Sequence, residues 1–474
     1  MSVARPRTAL GGRRPRAGSV LRWELGLLGL AALLGLLAVP KPQLAIEAAV
    51  GLAFLGLVLW DLSVGLYLFT FAAFLEVLPG LGGGVSFAKV AGLALVVSWL
   101  ATLSVRRDLR ANDFFRIHPL ITGTMVLFLS WVTMSALWAE VVSAVQADLL
   151  RYAPNLLLFP IAFTALRTRR AAIVFAGVFV TAALISSAYG FVFPPPPVVG
   201  VEADRLGGAG VDPNFLALAL VGAAALSAGL ASMRSLDRGV RALWAVGVVI
   251  CGYGVLHSGS RGGLIALVVA GLVGVVISGP GRRVLMITLA ACAIGIGFFY
   301  VTELAPADLR ARITHSDGGS GRTDLWTIGM RIAHAKPLTG VGAGNFTTSS
   351  IHYLLEPGTI TRSDFIVDTP KVAHNTYLQV LTELGIPGLI LFLTLILFSL
   401  RCGVRAWRAF ERAGDADMGI LCRALVAGLA GMLTAAFFVS AHVNKPLWLL
   451  LAIPPALLAI AESRSAPAHD EDHG

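Results

Sequence analysis

Three residues stand out for the chemistry they could do: His374, Arg261 and Arg322, each inside a short polar motif. Arginine stays positively charged at every relevant pH and forms paired hydrogen bonds to phosphate oxygens. A neutral imidazole can accept a proton near pH 7. The set therefore indicates a reaction in which arginines hold a phosphorylated group while a histidine deprotonates a hydroxyl.

The motif Gly321-Arg322-x-x-x-Trp326 begins a partly amphipathic helix that Pro337 stops. Arg322 and Trp326 are four residues apart and so share one helix face. A permanent cation beside a flat aromatic ring suits a phosphate next to a sugar ring. Arg331, on the same helix, is a further candidate substrate ligand. The alternative is a helix lying on the membrane surface, with Trp326 as an interfacial anchor.

Two loops carry further candidates. Ser260-Arg261-Gly262 lies in a sharp turn of small residues between two apolar runs. An arginine near hydrocarbon is costly without an anionic partner, so Arg261 is a candidate phosphate ligand, or else an interfacial anchor. Upstream, Asp212-Pro213 predicts a capped helix start that puts Arg205 and Asn214 at the mouth of the bundle. A substrate role and an ordinary capped loop are both open for these two.

His374 and Asn375 end a polar segment and directly precede an apolar run. Asn375, Gln379 and Glu383 recur at four-residue spacing and form a polar stripe, which at that depth faces a bundle interior or a water-filled cavity. His374 is therefore a candidate general base for an acceptor hydroxyl at the membrane surface. Asn375 is a candidate substrate ligand. A histidine that only caps the helix is the alternative.

The elements that must position these residues are membrane helices. The chain is 56% hydrophobic and 14% charged, with a mean hydropathy of +0.79. Apolar runs of about 18–25 residues recur, long enough to cross a ~30 Å hydrocarbon core. Roughly fourteen such runs lie near 23–40, 43–60, 62–79, 86–103, 117–138, 148–166, 171–193, 213–232, 241–257, 262–279, 284–302, 376–400, 420–440 and 443–462. The pattern predicts an all-α polytopic membrane protein of roughly 12–14 transmembrane helices with one long extracytoplasmic loop.

The placement of arginines predicts the orientation, because cytoplasmic loops are enriched in lysine and arginine. Arginines recur in every second loop, so both termini are expected in the cytoplasm and the active site outside the plasma membrane. The predicted organisation is a basic cytoplasmic tail (1–22), a bundle of about eleven helices (23–302), an extracytoplasmic loop with short helices (303–375), C-terminal membrane helices (376–462) and an acidic cytoplasmic tail (463–474).

The charge and motif content argues against several classes of function. The net charge of +10 is dispersed over inner loops, which is unlike a nucleic-acid-binding face. No Walker A motif occurs, and the four cysteines show no metal-binding spacing. Asp415-Ala416-Asp417 looks like the metal-binding motif of sugar-nucleotide transferases, but we interpret it as a solvated inner loop. No metal and no cofactor are expected.

In order and spacing, these motifs resemble the O-antigen ligase/O-antigen polymerase superfamily over roughly residues 200–395. The resemblance rests on Ser260-Arg261-Gly262, Gly321-Arg322-x-x-x-Trp326, Pro337-Leu-Thr-Gly340-Val-Gly342-x-Gly344-Asn345-Phe346, and His374-Asn375 ahead of Glu383-Leu-Gly385. It implies a metal-independent, inverting membrane glycosyltransferase of the C type. By motif, Arg261 and Arg322 would hold a diphosphate leaving group and His374 would deprotonate the acceptor, while Arg205 matches a looser pattern. The insert at 346–373 has no motif that we can place.

The implied partners are an undecaprenyl-diphosphate-linked glycan donor, a glycan or lipid acceptor, membrane lipids and other polysaccharide assembly proteins. The sequence does not separate a polymerase, which lengthens the carrier-linked chain, from a ligase, which moves the finished chain to another acceptor. A multi-span transporter of a small anion or a glycan precursor is the alternative, with Glu47, Glu76 and Glu383 lining a path. Against transport, no pair of spans in matching positions of two halves is interrupted by Gly or Pro. The arginines also gather on the outer side rather than at mid-membrane.

Overall fold

In the computed structural model, the regular secondary structure of the described residues is all helical, and no strand occurs among them. The structure describes residues 42–75, 87–106, 108–109, 113–193, 205–207, 212–279, 282–302, 310, 321–355, 360, 364–368 and 370–465. The chain forms two compact units, residues 1–57 and 58–474, and the first is described from Pro42 onward, as helix. The all-α prediction is confirmed, while the predicted basic tail (1–22) and first span (23–40) lie outside the described residues.

The helices vary from single turns to one of 37 residues. In chain order they are α1 (Pro42–Trp60), α2 (Leu62–Phe74), α3 (Phe87–Val105), α4 (Phe114–Ile117), α5 (Pro119–Met134), α6 (Val142–Ala165), α7 (Arg169–Val192), α8 (Pro213–Ser232), α9 (Arg238–His257), α10 (Arg261–Ile277), α11 (Arg282–Val301), α12 (Arg322–Ala335), α13 (Phe346–Ser349), α14 (Asp364–Val367), α15 (Thr376–Arg412), α16 (Ala416–Ala435) and α17 (Lys445–Ser465).

Eight helices in the described residues are long and apolar enough to cross a membrane: α3, α5, α7, α8, α9, α15, α16 and α17. Four shorter apolar helices lie in α1, α2, α10 and α11. The run predicted at 148–166 falls on α6, which carries polar residues such as Asp148 and Asn155. Each predicted run within the described residues therefore falls on a helix, and the chain is a polytopic membrane protein.

Small residues bring the central helices α8, α10 and α16 together. A Cβ added to Gly222 would lie 2.5 Å from the sulfur of Met432, and one added to Gly263 would lie 2.7 Å from the Cβ of Ala217. Apolar lipid tails give no hydrophobic drive between helices, so membrane helices rely on such close packing. This packing fixes the ends of these helices, which carry the candidate residues.

The long helix α15 is two segments joined at Gly385, where the backbone is non-helical (φ 67°, ψ −173°). The apolar run predicted at 376–400 therefore falls on a helix that is broken at Gly385, a break that the sequence analysis did not predict. A connecting loop fills the break: the N–H of Ile386 donates to the carbonyl of Pro337 (2.8 Å), and the N–H of Val341 donates to that of Thr382 (2.9 Å). The short first segment, residues 376–384, is thereby locked to the loop that follows α12.

The opposite end of the bundle holds Asp417, for which the solvated-loop interpretation is wrong. Its carboxylate is buried and accepts hydrogen bonds from the backbone N–H groups of Arg234 (2.8 Å) and Ser235 (2.9 Å) and from the Arg169 guanidinium (3.1 Å). Asp415 caps α16 by accepting from the N–H of Met418 (3.2 Å). Asp417 thus ties the start of α16 to the turn after α8, because the buried N–H groups there need an acceptor.

Candidate active site

Helix α12 begins at Gly321, whose φ of 74° is left-handed, and it buries one apolar face. That face packs into a small core of Leu325, Ile328, Ile332, Val341, Phe346, Ile366 and Ala373. The helix is therefore held on protein by the residues that follow it, including part of the insert that carried no recognisable motif. The predicted amphipathic helix at this position is present, ending at Ala335 just before Pro337.

Trp326 fixes the segment that leads to His374. Its indole Nε1–H donates to the carbonyl of Ala373 (3.0 Å). Its ring packs edge-to-face with that of Phe437, with 6.3 Å between the ring centroids. A half-buried tryptophan with its polar atom satisfied is well ordered. Trp326 thus sets the position of His374 by holding the preceding residue.

Arg331 lies elsewhere. It is buried, and its guanidinium donates to the carbonyls of Tyr353 (2.7 Å) and Leu354 (3.1 Å). Charged hydrogen bonds to two carbonyls brace the insert against α12. The structure thus gives Arg331 a bracing role that its sequence context did not indicate.

His374 is held in an unusual state. Its φ is 48°, the only left-handed φ among the non-glycine residues described, and its Nδ1 is buried without a hydrogen-bond partner in that part of the chain. Burial, aided by the charges of Arg322 and then Lys371 and opposed by that of Asp212, lowers the pKa of His374 from 6.5 to about 4. The imidazole is therefore neutral near pH 7 and keeps a lone pair for a proton.

Asn375 starts the first segment of α15. Its side-chain oxygen accepts from the N–H groups of Tyr377 (3.0 Å) and Leu378 (3.1 Å), as an N-cap does. The next residue, Thr376, donates its N–H to the carbonyl of Ala436 (2.9 Å). The cap thus orients the histidine that precedes it, and it occupies the side-chain oxygen of Asn375, a residue predicted to bind substrate.

Arg205 joins three elements at the same end of the bundle. Its Nε–H donates to the carbonyl of Ser258 (2.9 Å), and its Nη2 donates to Asn214 Oδ1 (3.1 Å). Asn214 in turn donates to Asp212 Oδ1 (3.0 Å), and burial, opposed by Asp212, lowers the pKa of Arg205. The predicted pair of Arg205 and Asn214 is therefore a direct contact, beside the turn that carries Arg261.

Arg261 is half-buried and begins α10, whose N-cap is Ser260. The next residue, Gly262, lies against the side chain of Phe438. A Cβ added to Gly262 would lie 2.6 Å from the Cβ of Phe438. Phe438 borders an open apolar groove of about 520 Å³ lined by Ile265, Tyr377, Leu433, Thr434, Phe437 and Phe438. Phe437 of the same groove contacts Trp326. The groove thus lies between the Arg261 turn and the segment that carries His374.

The structure therefore brings most of the predicted residues to one end of the bundle. Arg205 and Asn214 contact the turn before Arg261, and the charges of Arg322 and Asp212 both act on His374.

Residues 246–393 match the family model described as O-antigen ligase. This match supports the predicted relationship to the O-antigen ligase/polymerase superfamily. No curated protein matches the chain. The O-antigen ligase domain covers about a third of the chain and contains Arg261, Arg322 and His374, whereas Arg205 and Asn214 precede it. The family prediction is confirmed, and the domain begins later than the expected residue 200.

The sequence analysis did not identify two further sets of polar residues in or near the O-antigen ligase domain. Asp212 was recognised only as a helix cap, although its charge reaches His374. Asp148 and His442, with Glu383, form a buried cluster in the bundle. A polar residue at the edge of an apolar run was the available indication for both, but sequence spacing could not pair residues so far apart.

Proposed function

We propose that this protein transfers a glycan from an undecaprenyl-diphosphate carrier to an acceptor hydroxyl at the outer face of the plasma membrane. The match of residues 246–393 to the O-antigen ligase family supports a membrane enzyme of the O-antigen ligase/polymerase type. The observation that carries the finer proposal is His374, a neutral imidazole with an unpaired buried nitrogen, set beside the charge of Arg322.

The reaction divides between these residues. Arg261 and Arg322 hold the diphosphate and stabilise the negative charge that grows on it as the bond to the anomeric carbon breaks. His374 takes the proton from the acceptor hydroxyl, whose oxygen forms the new glycosidic bond from the opposite side. The proton ends on the imidazole, and the diphosphate leaves on its lipid. Because the carrier is already activated, no nucleotide is consumed.

The apolar groove supports this assignment. Its six lining residues offer an apolar surface beside both the Arg261 turn and Trp326. An isoprenoid tail could lie there with its diphosphate at the arginines, entering sideways from the lipid. The groove would hold the tail units nearest the diphosphate, while the rest stays in the bilayer.

The distribution of arginines supports an outer active site. Arg169, Arg234 and Arg238 lie at the end of the bundle opposite to His374. Cytoplasmic ends of membrane proteins are the arginine-rich ones. We therefore place the candidate site outside and both termini in the cytoplasm.

The test is gene deletion in the host followed by complementation, with the carrier-linked glycans weighed by mass spectrometry. Arg322→Gln and His374→Gln should insert normally yet fail to complement. Arg238→Gln is the matched control, since Arg238 is exposed at the far end of α9, about 30 Å from His257.

The glycan pool also separates the two activities that the sequence left open. Single repeat units would accumulate after loss of a polymerase, and long carrier-linked chains after loss of a ligase. Full complementation by His374→Gln would refute its role as the base. An unchanged pool after deletion would favour the transporter alternative.

A further inference from the structure

A second polar site lies inside the bundle, away from the arginines. Asp148 on α6, Glu383 on the first segment of α15 and His442 in the turn before α17 each point one ligand atom into a space where these atoms lie within 4.8 Å of one another. The three residues are 4%, 1% and 6% exposed. Asp148 and Glu383 each lie about 10 Å along their helices from the end that carries His374.

The hydrogen bonding of this cluster is incomplete. Asp148 Oδ2, Tyr152 Oη and His442 Nδ1 are buried without a hydrogen-bond partner among the residues described. His442 Nε2 and Asp148 Oδ2 are 3.7 Å apart, too far for a hydrogen bond. Native proteins satisfy most buried polar atoms, so several orphaned atoms on the residues of one buried cluster point to a missing ligand.

The charges identify the sign of that ligand. Two carboxylates share a buried space, and Arg151, whose side chain is 62% exposed, contacts Asp148 at Oδ1 (3.3 Å). Glu383 Oε1 accepts from the side chain of Gln379 and weakly from the N–H of Phe346 (3.4 Å). Buried carboxylates are retained in proteins when they are paired or bind a metal. The space therefore favours a cation.

We propose that Asp148, Glu383 and His442 bind a divalent transition-metal cation of the Mn²⁺ or Zn²⁺ kind. Two carboxylate oxygens and one imidazole nitrogen form a ligand set typical of these ions, whereas Mg²⁺ and Ca²⁺ favour sites made of oxygen alone. The ion would take no direct part in the proposed transfer chemistry.

The contacts of Glu383 give the ion a positioning role. Its backbone carbonyl accepts from the N–H of Gly342 (2.8 Å). Its side-chain partner Gln379 accepts from the N–H of Ala373 (2.8 Å), directly before His374. A cation at the cluster would therefore join α6, α17 and the segment that presents the histidine.

The test is metal content and thermal unfolding of the full-length protein in nanodiscs. After chelation and dialysis, Mn²⁺ or Zn²⁺ is added back, and bound metal is measured by mass spectrometry. We expect about one ion per chain and a Tm that rises with metal concentration. Asp148→Asn combined with His442→Gln should abolish both effects.

The matched control is a second histidine–carboxylate pair. His352 Nε2 lies 3.2 Å from Glu140 Oε2 on an exposed surface, so Glu140→Gln with His352→Gln should leave both effects intact. Folded wild-type protein that binds neither ion at one equivalent would overturn the proposal and leave protons as the compensating charge. Retention of metal by the Asp148/His442 variant would overturn it equally. The wild-type titration decides the matter even if that variant fails to fold.

Discussion

The pKa of His374 gives the sharpest prediction. At pH 5 an imidazole with a pKa of about 4 is about 90% neutral, whereas one with the ordinary value of 6.5 is only about 3% neutral. The environment of His374 therefore raises the amount of basic form about 30-fold at this pH, which corresponds to about 2 kcal/mol. The base is available above pH 4 and is lost as the pH falls through that value.

The perturbation is Arg322→Gln. The positive charge of Arg322 lowers the pKa of His374, so its removal should raise that pKa and move the acid limb to higher pH. Burial is the larger cause, so the value should stay below 6.5. Lys371→Gln should give a smaller rise, and the distant Arg238→Gln none.

The assay is NMR titration of histidine-labelled protein in nanodiscs, which does not depend on transfer activity. The chain has nine histidines, and the signal absent from His374→Gln identifies the resonance. Added undecaprenyl diphosphate should also raise the pKa of His374, because its negative charge offsets that of Arg322. The donor would thereby strengthen the base that acts beside it.

Two results would refute this reasoning. A wild-type pKa near 6.5 would show that the imidazole is not desolvated. An unchanged pKa in Arg322→Gln would show that this arginine does not act on the histidine. Where transfer can be assayed, the rate of the wild-type enzyme should stay level from about pH 5 to 7 and fall towards pH 4.

Three further predictions concern the supports of the site. Gly340→Ala should lower Tm more than Gly414→Ala. Both glycines have a left-handed φ (63° and 73°), which costs an alanine about 1 kcal/mol, but of the two only Gly340 would place the new Cβ in a clash, 2.5 Å from the backbone of α15. Equal Tm values for the two variants would contradict the clash. Arg331→Met should destabilise the protein by about 1–3 kcal/mol in thermal unfolding, since two carbonyls lose a charged donor; an unchanged Tm would remove its bracing role. Trp326→Phe should insert normally and slow transfer several-fold, because the bond that holds the residue before His374 is lost; an unaltered rate would show that this bond does not set the geometry.

The membrane helices were predictable because a ~30 Å core imposes a length and a composition that few other structures share. The break in α15 was not. Gly385-Ile386-Pro387 also fits a continuous membrane helix, in which neighbouring groups satisfy the freed backbone. The break is visible only once the carbonyl of Pro337 is found accepting from Ile386.

The candidate site divides in the same way. Arg322, Trp326 and His374 could be proposed from sequence because the roles proposed for them depend on residue type and local spacing. The tasks of Arg331 and Asn375 depend on carbonyls and N–H groups that any sequence supplies, so no motif marks them. The cluster of Asp148, Glu383 and His442 depends wholly on tertiary packing, which brings distant polar residues together.

Several bonds around the site join parts of the chain that are synthesised far apart. The side chain of Asn345 accepts from the N–H of Val141 (2.7 Å), and the indole N–H of Trp131 donates to the carbonyl of Leu384 (2.7 Å). These partners are 204 and 253 residues apart, and chains fold from the N-terminus as they emerge. The N-terminal helices are therefore synthesised before the hydrogen-bond partners of these polar groups.

Biogenesis of the protein consequently ends with the site. The arginine of α10 is in the bilayer before the histidine has left the ribosome, yet the bonds that fix the histidine wait for the broken helix α15. A chain that is truncated or stalled before residue 384 contains Arg261 and Arg322 but lacks Leu384, whose carbonyl accepts from Trp131. The helices of the bundle are thus synthesised before the contacts that organise the candidate site can form.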